Sequence, residues 1–196
     1  MQRRIGLTGG IASGKSSVGR LLAEQGWPVL DADRYAREAL AAGSDATGQV
    51  LDRWGDAVRA ADHPHALNRA AVGRIVFADL KERRWLEQLV HPLVRSRFDQ
   101  ELKARKEAGT VVLMIPLLFE TGLEALCSEV WLVDCEEAQQ LERLQQRDGL
   151  SEQDAVQRLK AQWPLSQKRA LADRIIDNRG TQTALNERVK ELLAAG

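Results

Sequence analysis

The stretch from Gly6 to Ser17, GLTGGIASGKSS, packs four glycines, one lysine and four hydroxyl residues into twelve positions. Gly9 to Ser16 fits G-x-x-x-x-G-K-[ST], and each part of that pattern has a physical task. Glycines allow the backbone angles that turn successive amide N–H groups inward around a phosphate, and a helix beginning near Lys15 adds its positive end. Lys15 places a compact cation between β- and γ-phosphates, and the Ser16 hydroxyl offers one ligand to a Mg2+ that keeps most of its water. The flanks agree: Arg4 to Thr8 reads as a short buried strand, and Ser17 to Gln25 as a helix with Val18, Leu21 and Leu22 on one stripe. The stretch reads as a grip for a triphosphate.

Outward from the grip, β-rich apolar runs alternate with segments of helical period, the pattern of an α/β protein with a parallel sheet. Five runs carry it: Arg4 to Thr8, Pro28 to Asp33, Thr110 to Ile115, Glu129 to Asp134 and Arg174 to Asp177. Most are too apolar to have a solvent-facing side, so helices should cover both faces of the sheet. A long helical stripe runs through Trp85, Leu86, Leu89, Val90, Leu93, Val94, Phe98 and Leu102, with Pro92 expected to kink or restart it. Ser151 with Asp154 reads as a capping box, making Asp148-Gly149 a turn between helices. The gap from about Arg34 to Gly109 exceeds any ordinary crossover and predicts an inserted helical lobe, with Ala60 to Asn68 (AADHPHALN) an exposed loop.

A chain of 196 residues suits one core with an insertion. Its 28 basic and 28 acidic residues balance, which removes the electrostatic reason to expect a nucleic-acid or membrane-surface partner. Only Cys127 and Cys135 occur, without zinc or disulfide spacing, and the first residues lack an apolar signal region. The expectation is a soluble cytoplasmic protein. His63 and His65 have no carboxylate or cysteine partner at metal-ligand spacing and read as structural or idle.

The second run delivers Asp31 and Asp33 to the carboxyl end of a strand, where ligands bind in open α/β sheets. Two apart, both carboxylates would face one side if the strand continued, and such a group can take the proton of an attacking hydroxyl. Either aspartate equally suits capping of a helix starting near Arg34.

Together these features resemble the dephospho-CoA kinase family. The resemblance runs through IGLTGGIASGKS with DAD at matching distance, LNRAAVGRIVFAD, LEQLVHPLV, IPLLFETGLE, VWLVDCEEAQQLERLQQRDGLS and ADRIIDNRG. It implies a P-loop kinase with a five-stranded parallel sheet flanked by helices, an acceptor-binding helical insertion (about 34–109) in a core of about 1–33 and 110–196, and a helical lid (about 138–165). The implied reaction moves the γ-phosphoryl group of ATP to the ribose 3′-hydroxyl of dephospho-CoA, with Mg2+, in a monomer or weak homo-oligomer. Carried over by position, Asp33 is the general base, with Lys15 and Arg143 as the other catalytic groups. Ile11, Ala12, Ser13, Gly14, Lys15, Ser16, Ser17, Arg143 and Asn178 bind ATP, and Ser16 also binds the metal. Thr8, Asp33, Arg37, His91 and Glu120 face the acceptor.

On its own spacing, Gln140, Arg143 and Arg147 share one helical face, where a closing lid would bring guanidinium charge to the phosphoryl group. The same arginines suit a solvated face paired with Glu142 or Asp148. His91 equally suits a structural role, and Asn178 with Gly180 a plain turn. One departure from the family pattern is Ala12, where a glycine is usual; its methyl matters if that position needs positive φ. A kinase of another small hydroxyl acceptor is the nearest rival. A GTPase switch is disfavoured because no N-K-x-D guanine reader follows the fourth or fifth run.

Overall fold

The computed structural model describes residues 2–194. Two compact units divide them, one formed by the residues up to Asp31 with those from Arg105 onward, the other by Ala32–Ala104. In chain order the first unit contributes β1 (Arg3–Gly9), α1 (Lys15–Glu24) and β2 (Val29–Asp31). The second follows with α2 (Ala32–Ala39), α3 (Asp45–Trp54), β3 (Arg59–Ala60), β4 (His63–Leu67), α4 (Arg69–Ala78) and α5 (Leu80–Ala104). The chain then returns for β5 (Thr110–Met114), β6 (Glu129–Asp134), α6 (Glu137–Asp148), α7 (Glu152–Lys160), α8 (Leu165–Arg169), β7 (Arg174–Asp177) and α9 (Gln182–Ala194).

In the first unit the five expected strands form one sheet of order β2-β5-β1-β6-β7. Every pairing is parallel, and Leu7 of β1 lies opposite Met114 on one side and Trp131 on the other. Ile5 and Leu7 are fully buried, in a core with Val18 and Leu22 of α1, Val112, Trp131, Val133 and Ile176 of the sheet, and Leu185 and Val189 of α9. Burying one such side chain contributes roughly 1.5–3 kcal/mol, so the apolar run of β1 is placed by its neighbours rather than by its own propensity. The opposite face of β1 needs room: a Cβ on Gly6 would sit 2.7 Å from Cys127 Sγ and 3.1 Å from Leu118. Burial pushes the Cys127 thiol up to about 12. Because β5 and β6 leave β1 in opposite directions, the strand order switches at β1, and a crevice opens at its carboxyl end.

The second unit packs α2 on α5 through the edge of Tyr35 against Phe98, ring centroids 5.1 Å apart. Val50, Val58, Ala71 and Val72 make its other core, beside Trp54 and Trp85. Glu82 accepts from Arg53 and from the Trp54 indole, and these bonds hold its carboxyl down near 2. Ser44 and Asn68 cap α3 and α4 by accepting from Thr47 and Ala71 N–H groups.

Four local expectations change. The second strand ends at Asp31, and Ala32 and Asp33 already belong to the first turn of α2, so the two aspartates do not share a strand face. A carboxylate is favoured there by the helix dipole, and Asp is a poor strand former. Within Ala60 to Asn68 the chain forms the β3–β4 hairpin rather than a loop, with Pro64 tolerated on a two-stranded ribbon and its carbonyl accepting from Arg59. Helix α5 continues through Pro92 without the restart that was one of the two expected outcomes there. Leu93, counted in its apolar stripe, is 43% exposed, while Val90, Val94, Phe98 and Leu102 are buried.

Candidate active site

The glycine-rich stretch leaves β1 at Gly9 and enters α1 at Lys15, with Gly14 in a left-handed conformation (φ 99°) at the helix start. Two of its glycines are required by close approach. A Cβ on Gly10 would lie 2.2 Å from the Gln140 amide nitrogen, and one on Gly14 would lie 2.1 Å from that of Asn178. Those amides brace the loop: Gln140 Nε2 donates to Ile11 O at 2.6 Å and Asn178 Nδ2 to Ser13 O at 2.8 Å. Among the described residues Ala12 is the one non-glycine with positive φ, at 56°. The left-handed region costs an L-residue about 1–2 kcal/mol, so the loop carries strain at the position where the family pattern has glycine.

Lys15 Nζ donates to the carbonyls of Gly9 and Gly10, both at 2.9 Å, which keeps the ammonium inside the loop. Ser16 is exposed in the first turn of α1 and Ser17 is half-buried.

The helix α6 face divides in the way its spacing allows. Gln140 is buried against the loop; Arg143 Nη2 donates to Asn178 O at 3.0 Å; Arg147 forks onto its neighbour Asp148 at 2.7 and 3.0 Å. Asp148 also accepts from Arg158, and these cations hold its carboxyl below the usual range despite partial burial. Arg147 therefore takes the surface-pair alternative. Arg143 does not: its Nη1 is buried with no hydrogen-bond partner among the described residues, as is Ser13 Oγ in the loop. Buried donors are almost always paired in folded proteins, so two orphaned ones in one corner mark a place built for an acceptor-rich group. Burial pushes the nearby Cys135 thiol up, with the positive charges of Arg143 and Lys15 acting against that rise.

Asn178 closes the corner. It follows β7, its N–H donates to Asp134 O at 2.7 Å, and Asp134 is itself held by Arg169 and Arg179, each at 2.9 Å.

Two residues expected at the acceptor are bonded inside the first unit. Thr8 is fully buried and donates to Pro116 O at 3.2 Å. Glu120 Oε1 pairs with Lys168 Nζ at 2.7 Å and accepts from Trp163 N–H at 3.0 Å. Lys168 is completely buried and also donates to Pro116 O at 3.0 Å. This network ties the segment after β5 to α8, and Lys168 is a residue that sequence reasoning missed. Lys168→Met leaves the Glu120 carboxylate, only 14% exposed, without its cation. The expected loss of unfolding free energy in urea titration is about 3–5 kcal/mol, and Glu120→Gln in the same chain is expected to recover about half or more of it.

In the second unit Asp33 and Arg37 stand one turn apart on exposed positions of α2, and His91 is exposed on α5. No described helix is long and apolar enough to cross a membrane.

A model of the dephospho-CoA kinase family matches residues 3–184. A dephospho-CoA kinase of Synechococcus sp. (strain CC9605) is 64% identical over 192 residues, 98% of this chain and 92% of that one. The crystal structure of a Thermus thermophilus protein aligns with a TM-score of 0.82 at 36% identity, covering 99% of this chain and 97% of the other. A dephospho-CoA kinase from Campylobacter jejuni shares the fold, with a TM-score of 0.72 at 24% identity over 99% and 96% of the two chains. The match extends well beyond the phosphate loop and through the whole of α2–α5, and this chain belongs to the dephospho-CoA kinase family.

Proposed function

We propose that this chain transfers the γ-phosphoryl group of ATP to the ribose 3′-hydroxyl of dephospho-CoA, the last step in making coenzyme A. The observation that carries the nucleotide half is the corner where Arg143 Nη1 and Ser13 Oγ are buried without hydrogen-bond partners among the described residues, beside a strained glycine-rich loop. Phosphoryl transfer is catalysed mainly by positioning and by charge placed where it develops. Lys15 and the N–H groups of Ala12, Gly14, Lys15 and Ser16 hold the β- and γ-phosphates, those of Ile11, Ser13 and Ser17 being bonded to Gln162 Oε1, Gly10 O and Gly14 O, and Arg143 faces the transferring group. Asn178 sets the Ser13 carbonyl and thus the loop's shape.

Ser16, exposed at the start of α1, fits a Mg2+ ligand. Among the described residues no three His, Cys, Asp or Glu side chains cluster as a metal site, which suits an ion held by a hydroxyl, phosphates and water rather than by a protein cage. When bound, the ion supplies charge neutralisation on the β- and γ-phosphates.

Asp33 orients the 3′-hydroxyl and accepts its proton as the oxygen attacks phosphorus, with Arg37 and His91 binding the acceptor. Residues of α6 and α7 act as the lid that excludes water, which otherwise competes as nucleophile. ATP and dephospho-CoA are cytoplasmic metabolites, and the two free cysteines suit that reducing setting.

A panel of acceptors tests the reading. ATP consumption is expected with dephospho-CoA and not above background with AMP or adenosine; equal rates with either would overturn the choice of acceptor.

A further inference from the structure

We infer that Lys168 is a positioning residue for the acceptor: by occupying one oxygen of Glu120 it leaves the other, Oε2, bare for a hydrogen-bond donor of dephospho-CoA. Lys168 is a completely buried ammonium on the short helix α8. An interior charge is costly unless its bonds are good, so the bonds it makes are informative. Its Nζ lies 2.7 Å from Glu120 Oε1 and donates to Pro116 O at 3.0 Å. Trp163 N–H donates to the same carboxylate oxygen at 3.0 Å. Both donors crowd onto Oε1, and Oε2 is buried with no hydrogen-bond partner among the described residues. Buried acceptors are almost always paired in folded proteins, and a carboxylate oxygen makes the stronger bonds, so Oε2 marks a place for a donor.

The surrounding bonds tie this carboxylate to the phosphate loop by two routes. Pro116 O, which Lys168 shares, also accepts from Thr8, the residue before Gly9, at 3.2 Å. Gln162, next to Trp163, accepts from Ile11 N–H at 2.9 Å. The segment carrying Glu120 follows β5, β5 pairs with β2, and β2 runs straight into the helix that bears Asp33. The chemistry of Oε2 then selects its ligand. Phosphate oxygens only accept and are repelled by a carboxylate, so the transferred group itself does not belong there. Dephospho-CoA brings hydroxyl, amino and amide N–H donors. Arg143 Nη1 thus waits for an acceptor and Glu120 Oε2 for a donor, which suits a nucleotide phosphate on one side and the second substrate on the other. Water on Mg2+ is the competing donor, and the test separates it.

The inference deepens the proposed reaction and rests on it. Glu120→Gln keeps the shape, but its one oxygen stays with Trp163 N–H, so the NH2 group takes the place of Oε2 and meets the ligand donor to donor. The KM for dephospho-CoA is expected to rise about 10- to 100-fold, the worth of one hydrogen bond to a charged group, with kcat within about 3-fold and the KM for ATP unmoved. Lys168→Met is expected to raise the same KM about 3-fold or more in the wild-type background and less than about 2-fold in Glu120→Gln, because it acts through that carboxylate. The double variant regains stability yet keeps the raised KM, which a residue serving only the fold would not do. If Lys168→Met alone does not fold, the comparison of Glu120→Gln with the double variant decides. A KM within about 2-fold of wild type in Glu120→Gln, or one that returns to the wild-type value in the double variant as stability returns, would overturn the inference. So would a shift confined to the Mg2+ or ATP requirement, which would assign Oε2 to water on the metal. Wild-type protein that transfers nothing to dephospho-CoA would instead sink the proposed function.

Discussion

Replacing Arg143 with methionine is expected to lower kcat about 10³-fold or more, the range of a cation that meets charge developing on the transferred phosphoryl group. Among the described residues the side chain is anchored at one end: Nη2 donates to Asn178 O at 3.0 Å, and Nη1 is buried without a hydrogen-bond partner. The expected loss falls on kcat because a cation aimed at the transferred phosphoryl group gains most as charge develops there. Methionine keeps most of the volume and loses the charge, so melting temperature is expected to change little and the KM for dephospho-CoA to hold. Arg143→Lys is expected to recover only a minor part, because a point charge on a shorter stem does not reach both Asn178 O and a phosphate oxygen. Arg147→Met, by contrast, removes an exposed pair with Asp148 and is expected to leave kcat within about 3-fold of wild type. A loss under about tenfold at Arg143 would remove it from the catalytic set.

The second large effect is expected at Asp33. Asp33→Asn preserves shape and removes the proton acceptor, and kcat is expected to fall about 10²–10⁴-fold, the range for a positioned general base. Because Asp33 lies exposed in the first turn of α2, the same change is expected to lower stability by no more than about 1 kcal/mol, from the lost interaction with the helix dipole. The KM for ATP should not move. Turnover within a few-fold of wild type in a folded Asp33→Asn protein would dismiss the general-base role.

How much of this was legible in the letters depends on how local each cause is. Glu129 to Asp134 and Arg174 to Asp177 read as strands with the boundaries observed; the first because burial on both faces writes a continuous apolar run, the second, at the sheet edge with Ile176 buried and Ile175 exposed, from its paired isoleucines alone. The second run read two residues too far at its carboxyl end, since nothing in Asp-Ala-Asp says where a strand gives way to a helix that begins at once. The β3–β4 hairpin was invisible for a different reason: its turn residues, Ala61 and Asp62, lack the Asn-Gly type of signature, and His63-Pro64-His65 shows no alternation of apolar and polar.

At the site, the loop and the Gln140/Arg143/Arg147 face were readable because fixed spacing carries them. Spacing alone did not choose between the arginines; the family resemblance pointed to Arg143, and in the structure Asp148 holds Arg147 while Asn178 offers a carbonyl to Arg143. Lys168 and Gln162 escaped entirely. A lone polar letter in a segment without period carries no sign of its partner, and both partners, Glu120 and Ile11, lie on other elements. Ala12 is the opposite case: the letter posed the question, and only the backbone angle of 56° shows that the position needs positive φ.

The most direct measurement of the central claim is incubation of the purified chain with ATP, Mg2+ and dephospho-CoA, followed by mass spectrometry and phosphorus NMR of the acceptor. The account predicts a gain of one phosphate on the ribose 3′-oxygen, with one ADP formed for each. ATP hydrolysis without a mass gain on dephospho-CoA, or a phosphate placed on another oxygen, would contradict it.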